Sequence, residues 1–150
     1  MDLWIPASKP QPISRIELNK LFDIWKKHID QPLDGSIVLQ FVNSDAMVEL
    51  AKRHTNKQAA TDVLSFNYNP SLRDKSGEKI AGEIIICREI AIANAKKLKV
   101  SQKNEYATLF IHGLLHLAGR DHDDFAERDR FIEDTRAIME QGGFTTVSLW

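Results

Sequence analysis

The chain has 150 residues, 43% of them hydrophobic and 27% charged, with a formal net charge of −1. That balance supplies one domain with a core of its own and excludes an intrinsically disordered chain. It also excludes bulk electrostatic attraction to nucleic acid, so an RNA partner would have to be met by a local basic patch.

A single cysteine, Cys87, excludes an intrachain disulfide and a cysteine-built zinc site. Its neighbours Ile84, Ile85 and Ile86 mark it as a small buried side chain. No segment is apolar for long enough to span a bilayer, and Met1 to Pro6 lacks the basic and then apolar pattern of a secretion signal. The expectation is a soluble cytoplasmic protein with no membrane partner.

Pro10 and Pro12 lead into the first helix. Ser14 and Glu17 have capping-box spacing, and Ile13 with Leu18 forms the accompanying hydrophobic pair. Leu18, Leu21, Phe22 and Trp25 then recur at helical spacing and predict one buried face, with Lys20, Lys26 and Lys27 elsewhere. Pro32 and Gly35 punctuate the chain before Ile37 to Val42, a strand by its β-branched content. Ser44 is expected to cap a short helix through Met47, Leu50 and Ala51. Asp62 to Phe66 reads as a second strand, Asn67 to Gly77 as a loop, and Glu83 to Cys87 as a third strand.

Glu89 to Leu98 is helical, with Ile90, Ala93, Ala95 and Leu98 among its less polar positions. Ser101 then caps a long apolar helix carrying Tyr106, Leu109, Phe110 and Leu114, and Gly119 stops it. Asp121 or Asp123 is expected to cap a last helix through Phe125, Ile132, Ala137 and Met139, which Gly142 and Gly143 end. The tail from Phe144 to Trp150 is expected to add an edge strand. This order of elements predicts the α/β class, α+β type: one domain over residues 1–150, a small mixed four-stranded sheet packed with about five helices. P-loop and dinucleotide-binding fingerprints are absent.

Chemistry concentrates in the run His112-Gly113-Leu114-Leu115-His116-Leu117-Ala118-Gly119-Arg120-Asp121-His122. His112 and His116 are one helical turn apart and share a face, roughly 6 Å apart along the axis. One zinc ion with Zn–N bonds of about 2.0–2.1 Å can bridge them. His122 cannot reach the same ion from a continued helix; a turn at Gly119 is required, and glycine permits it. Three histidines leave a fourth position open, the catalytic pattern of zinc sites. A closed site has no convincing fourth ligand, with Asp121 and Asp123 as the neighbouring options. Zinc peptidases with this spacing carry a glutamate after the first histidine as general base, and Gly113 cannot serve. Asp62 and Glu83 are the distant carboxylates that could.

The histidine run, together with Thr61-Asp62-Val63-Leu64-Ser65-Phe66 and Gly82-Glu83-Ile84, resembles the YbeY family of bacterial ribosomal-RNA maturation proteins, over about residues 36 to 141. The resemblance implies a compact α/β fold with a cleft beside one zinc ion held by His112, His116 and His122. It further implies a zinc-dependent, single-strand-specific endoribonuclease acting at the 3′ end of small-subunit rRNA and in ribosome quality control. Its partners would be single-stranded or ribosomal RNA and the small ribosomal subunit with its proteins. Two positions depart from the family pattern: Arg120 stands where a tyrosine is common, and Thr55 stands where an arginine is usual. Arg53, two residues earlier, or Arg120 itself is then the guanidinium expected to stabilise phosphoryl charge. Lys96, Lys97, Lys99 and Lys103, with Arg88, are the candidate RNA contacts. A zinc hydrolase of another ester or amide, and a ribosome-associated protein with a structural zinc, are the competing readings.

Overall fold

The computed structural model describes residues 2–6, 10–29, 35–54, 61–68, 77–120 and 122–145. Its elements in chain order are β1 (Leu3–Trp4), α1 (Arg15–His28), β2 (Ser36–Val42), α2 (Ser44–His54), β3 (Val63–Asn67), β4 (Ile80–Cys87), α3 (Arg88–Leu98), α4 (Gln102–Leu117) and α5 (Phe125–Gln141). The sheet is mixed and four-stranded in the order β1-β2-β4-β3. β1 runs parallel to β2 and β2 parallel to β4, whereas β3 pairs antiparallel with β4 and forms one edge.

The fourth strand is not the expected C-terminal one. Leu3–Trp4 takes that place by pairing with Ile37 and Val38. Phe144 and Thr145 are not in a strand, and 146–150 lie outside the described residues. Two residues carry no measurable periodicity, so β1 exists only through its partner. The loop expected from Asn67 also begins a residue later, because Asn67 pairs with Gly82 and continues β3.

Alternation along β4 divides the core between the two faces of the sheet. Ile84 and Ile86 point into the larger cluster with Leu21, Phe22, Trp25, Tyr106, Phe110, Leu114 and Phe131. Ile85 and the buried thiol of Cys87 point the other way, against Met47 of α2. α4 crosses the first face with eleven buried residues, which is why its sequence is apolar nearly all round. It packs there at contact distance: a Cβ on Gly113 would sit 2.7 Å from Ile84 Cγ2.

The capping chemistry is partly the expected one. Ser14 and Glu17 form the reciprocal capping box, and the Ser101 hydroxyl accepts the Asn104 N–H at 3.0 Å. Ser44, by contrast, lies inside α2. Asn43 does the capping, its Oδ1 accepting the Ala46 N–H at 2.9 Å. For α5 the cap is Asp124 in place of Asp123, accepting the Glu127 N–H at 2.8 Å; Asp121 lies outside the described residues. The buried stripe of α5 is accordingly Phe131, Thr135, Ile138 and Met139, while Phe125 is 85% exposed. No helix among the described residues is long and apolar enough to cross a membrane.

Candidate metal centre

α4 ends as Gly119 requires. Gly119 has φ +84°, its N–H donates to His116 O at 3.0 Å, and the Arg120 N–H donates to Leu115 O at 3.0 Å. This pair of bonds is the Schellman ending, in which a left-handed residue satisfies the last carbonyls and turns the chain out of the helix. The turn lets His122 fold back toward the helix it has just left.

The three imidazoles gather on one aromatic floor. Phe131 of α5 is fully buried, and its ring centroid lies 5.1 Å from that of His112, 5.0 Å from His116 and 5.5 Å from His122. The His116 and His122 rings are 5.2 Å apart and inclined by 68°. Zn–N bonds of about 2.0–2.1 Å place an imidazole centroid about 3.2 Å from the metal, so two rings sharing a tetrahedral zinc lie about 5.2 Å apart. The pair therefore has the separation that a shared zinc demands. As they stand, no three His, Cys, Asp or Glu side chains among the described residues make a complete ligand set. The fit consists of a pair at ligand spacing and a third imidazole on the same ring.

The protonation states suit metal binding. His116 Nδ1 lies 3.2 Å from the Arg120 carbonyl oxygen, which can only accept. Nδ1 must then carry the proton, leaving the Nε2 lone pair for a metal. Burial, with His116 and His122 beside it, pushes the His112 imidazole down to about 3. It is thus neutral near pH 7, the form that ligates.

The other candidates are not gathered here. Arg120 Nε is 3.3 Å from Asp134 Oδ2, an ion pair that holds the guanidinium against α5 beside the histidine turn. Arg53 is exposed in the last turn of α2. Glu83 faces away from α4, because Gly82 and Ile84 on either side of it face toward α4. Its carboxylate accepts from Tyr68 Oη and Gln40 Nε2, and burial with this carboxylate alongside raises the Tyr68 phenol above its ordinary value. Asp62 lies at the far end of β3, its Oδ1 accepting the Val63 N–H at 2.8 Å. Neither carboxylate is brought to the imidazoles. Thr55 lies outside the described residues.

Of the basic residues near the α3–α4 turn, Lys96, Lys97 and Lys99 are exposed. Lys103 pairs with Glu17 at 3.1 Å, and Arg88 Nη1 donates to Phe41 O at 2.9 Å. Sequence reasoning missed Phe131. The signal was present in the spacing of Phe131, Thr135, Ile138 and Met139, one helical face that does not include Phe125.

Comparison with known proteins bears on this geometry. The family model described as Endoribonuclease YbeY matches residues 9–143. The protein of that name from Staphylococcus carnosus (strain TM300) is 30% identical over 132 residues, covering 86% of this chain and 86% of the relative. Its namesake from Synechococcus sp. (strain JA-2-3B'a(2-13)) is 30% identical over 146 residues, covering 93% of this chain and 88% of the relative. A solution structure of a Thermotoga maritima protein superposes with a TM-score of 0.65 at 27% identity, over 95% of this chain and 89% of that one.

Proposed function

This chain belongs to the endoribonuclease YbeY family, and on that premise we propose that it cuts single-stranded RNA with the help of one zinc ion held by His112, His116 and His122. Its place would be the maturation of the small-subunit rRNA 3′ end and ribosome quality control, with the small ribosomal subunit as partner. The observation that carries the site is the trio of imidazoles around Phe131, with His116 and His122 at 5.2 Å.

A zinc ion held by His112, His116 and His122 would supply Lewis-acid chemistry at a phosphodiester. The chain's own residues do the remainder. Arg120 O orients His116 through Nδ1, and Phe131 keeps the three rings in register. Gly113 contributes no base; it lets α4 lie on Ile84, a packing that a glutamate side chain would disrupt. Arg120, steadied by Asp134 at the edge of the histidine turn, is the guanidinium best placed to meet developing phosphoryl charge; Arg53, exposed in the last turn of α2, is the other arginine that could do so. Asp62 and Glu83 act in support of the strands and not as the base. Either water or the RNA 2′-hydroxyl then attacks, and the two leave different RNA ends.

The test is cleavage of single-stranded RNA by rigorously ribonuclease-free protein, zinc-loaded and zinc-stripped, beside His116→Ala. Zinc-dependent cleavage that His116→Ala abolishes without unfolding the protein supports the proposal. Loss of the fold on zinc removal, with no cleavage by the loaded form, would move zinc to a structural role. Turnover of another ester or amide, with RNA left intact, would keep the hydrolase and change its substrate.

A further inference from the structure

Arg120 is held at three points, and only one of them is a contact of its side chain. Its N–H donates to Leu115 O at 3.0 Å, closing the end of α4, and its carbonyl oxygen lies 3.2 Å from His116 Nδ1. Its guanidinium meets Asp134 of α5, with Nε 3.3 Å from Oδ2. Asp134 follows Phe131 by three residues, so it lies about one turn along α5 from the ring beneath the imidazoles. The ion pair therefore joins the two elements that build the candidate metal centre.

Both side chains keep part of their surface in solvent, 30% for Arg120 and 25% for Asp134. Asp134 Oδ2, however, is enclosed, and no hydrogen bond reaches it among the described residues. An enclosed carboxylate oxygen in that position depends on the cation beside it, and parting the two is costly. The guanidinium is thus held in place before any ligand arrives. It carries one N–H on Nε and two on each Nη. With Nε turned to Asp134, the planar group directs the edge formed by its two Nη atoms to another side. Among the described residues those Nη atoms have no hydrogen bond or ion pair.

We propose that Asp134 is a positioning residue: it grips Arg120 at Nε and so presents the Nη edge, already oriented, to a phosphate at the histidine turn. Such an edge matches two phosphate oxygens with parallel N–H bonds. The ion pair is neutral overall, so the phosphate is recognised by these directed bonds and gains little from net charge. A guanidinium fixed in advance needs no reorganisation when phosphoryl charge develops. The proposal rests on the nuclease reading for the identity of the phosphate; the grip itself does not.

The first experiment follows the side-chain nitrogens of Arg120 by NMR in the zinc-loaded full chain, with dimethyl phosphate as probe. The Nη signals should shift while the Nε–H stays where it is. A shift of the Nε–H would mean that the probe displaces Asp134. Silence at every Arg120 nitrogen would mean that no phosphate meets this edge, and either result overturns the proposal. The second experiment is kinetic, on single-stranded RNA. Asp134→Ala should lower kcat by about 100-fold and leave KM unchanged within about three-fold. Asp134→Asn, which keeps an acceptor at the same place, should lose less. In an Arg120→Ala background, Asp134→Ala should lower kcat no further. Additive losses would show that Asp134 does not act through Arg120 and would overturn the proposal. If Asp134→Ala does not fold, Asp134→Asn carries the same cycle. Absence of RNA cleavage by the wild type would sink the nuclease reading alone, because the phosphate titration judges the grip without RNA.

Discussion

Position 113 shows how one missing side chain serves packing and chemistry together. An added Cβ would meet Ile84 Cγ2 at 2.7 Å, Cγ1 at 2.9 Å and Cδ1 at 3.0 Å. Gly113→Ala gains about 1 kcal/mol of helix propensity, but overpacking costs about 1–3 kcal/mol, so a net loss of up to about 2 kcal/mol is expected. Ile84→Ala alone should cost about 2–5 kcal/mol by opening a cavity. Because it removes all three clashing atoms, the double variant should fall short of the sum by about 0.5–3 kcal/mol in denaturant unfolding. Strict additivity would mean that the two residues do not touch. A second prediction concerns Phe131. Phe131→Leu keeps most of the core volume and removes the ring against which the imidazoles rest. Stability should change by less than about 1.5 kcal/mol, while zinc affinity, read by chelator competition, should fall by about ten-fold or more. Unaltered zinc affinity would leave Phe131 as core packing alone. Phe131 shows why a periodic reading can find a helix and still misplace its face: with Phe125 taken as apolar and inward, the phase of α5 shifts. Phe125 is in fact the first residue after the Asp124 cap, where little of the helix yet lies against the core.

At the scale of elements, local signals were legible and partner-dependent ones were not. The Ser14–Glu17 box, the Ser101 cap and the Gly119 stop are statements about neighbouring residues, and each stands. β1 depends on β2, thirty-odd residues away, and no local pattern announces it. Asp124 in place of Asp123 as cap also had a local signal, the glutamate three residues on at Glu127. The candidate site divides the same way. Its histidines and turn could be read along the chain, whereas the roles of Asp62 and Glu83 depend on which sheet face and which end of α4 they occupy. The α4 ending permits a direct test. Gly119 has φ +84° and nothing within 4 Å of an added Cβ, so a substitution there acts through backbone conformation alone. Gly119→Ala should cost about 1–2 kcal/mol of stability, and Gly119→Asn less, since asparagine tolerates the left-handed region. The loss of zinc affinity should follow the same order, because the turn that carries His122 back is the strained one. Equal zinc binding by both variants would show that His122 is not brought in by this turn.

At the scale of the molecule, α4 connects two regions of different chemistry. Its 16 residues extend about 24 Å at 1.5 Å per residue, from the basic α3–α4 turn to the histidine end. A chain with net charge −1 offers RNA no general attraction, so binding has to be local. Lys96, Lys97 and Lys99 are the exposed cations of that turn, while Lys103 and Arg88 already have protein partners. If the turn anchors the RNA whose scissile phosphate lies at the histidines, substrates too short to cover about 20 Å should bind more weakly than longer ones. Three phosphate contacts on a single strand give a slope of roughly −2 in log affinity against log salt concentration. Replacing Lys96, Lys97 and Lys99 with glutamine should weaken binding of long RNA, bring that slope close to zero and remove the preference for length. The loss should fall mainly on KM, since the lysines lie far from the reacting phosphate. If the triple variant keeps both slope and length preference, RNA reaches the histidines by another face of the molecule. The surface around Arg120 and Asp134 would then be the one to map.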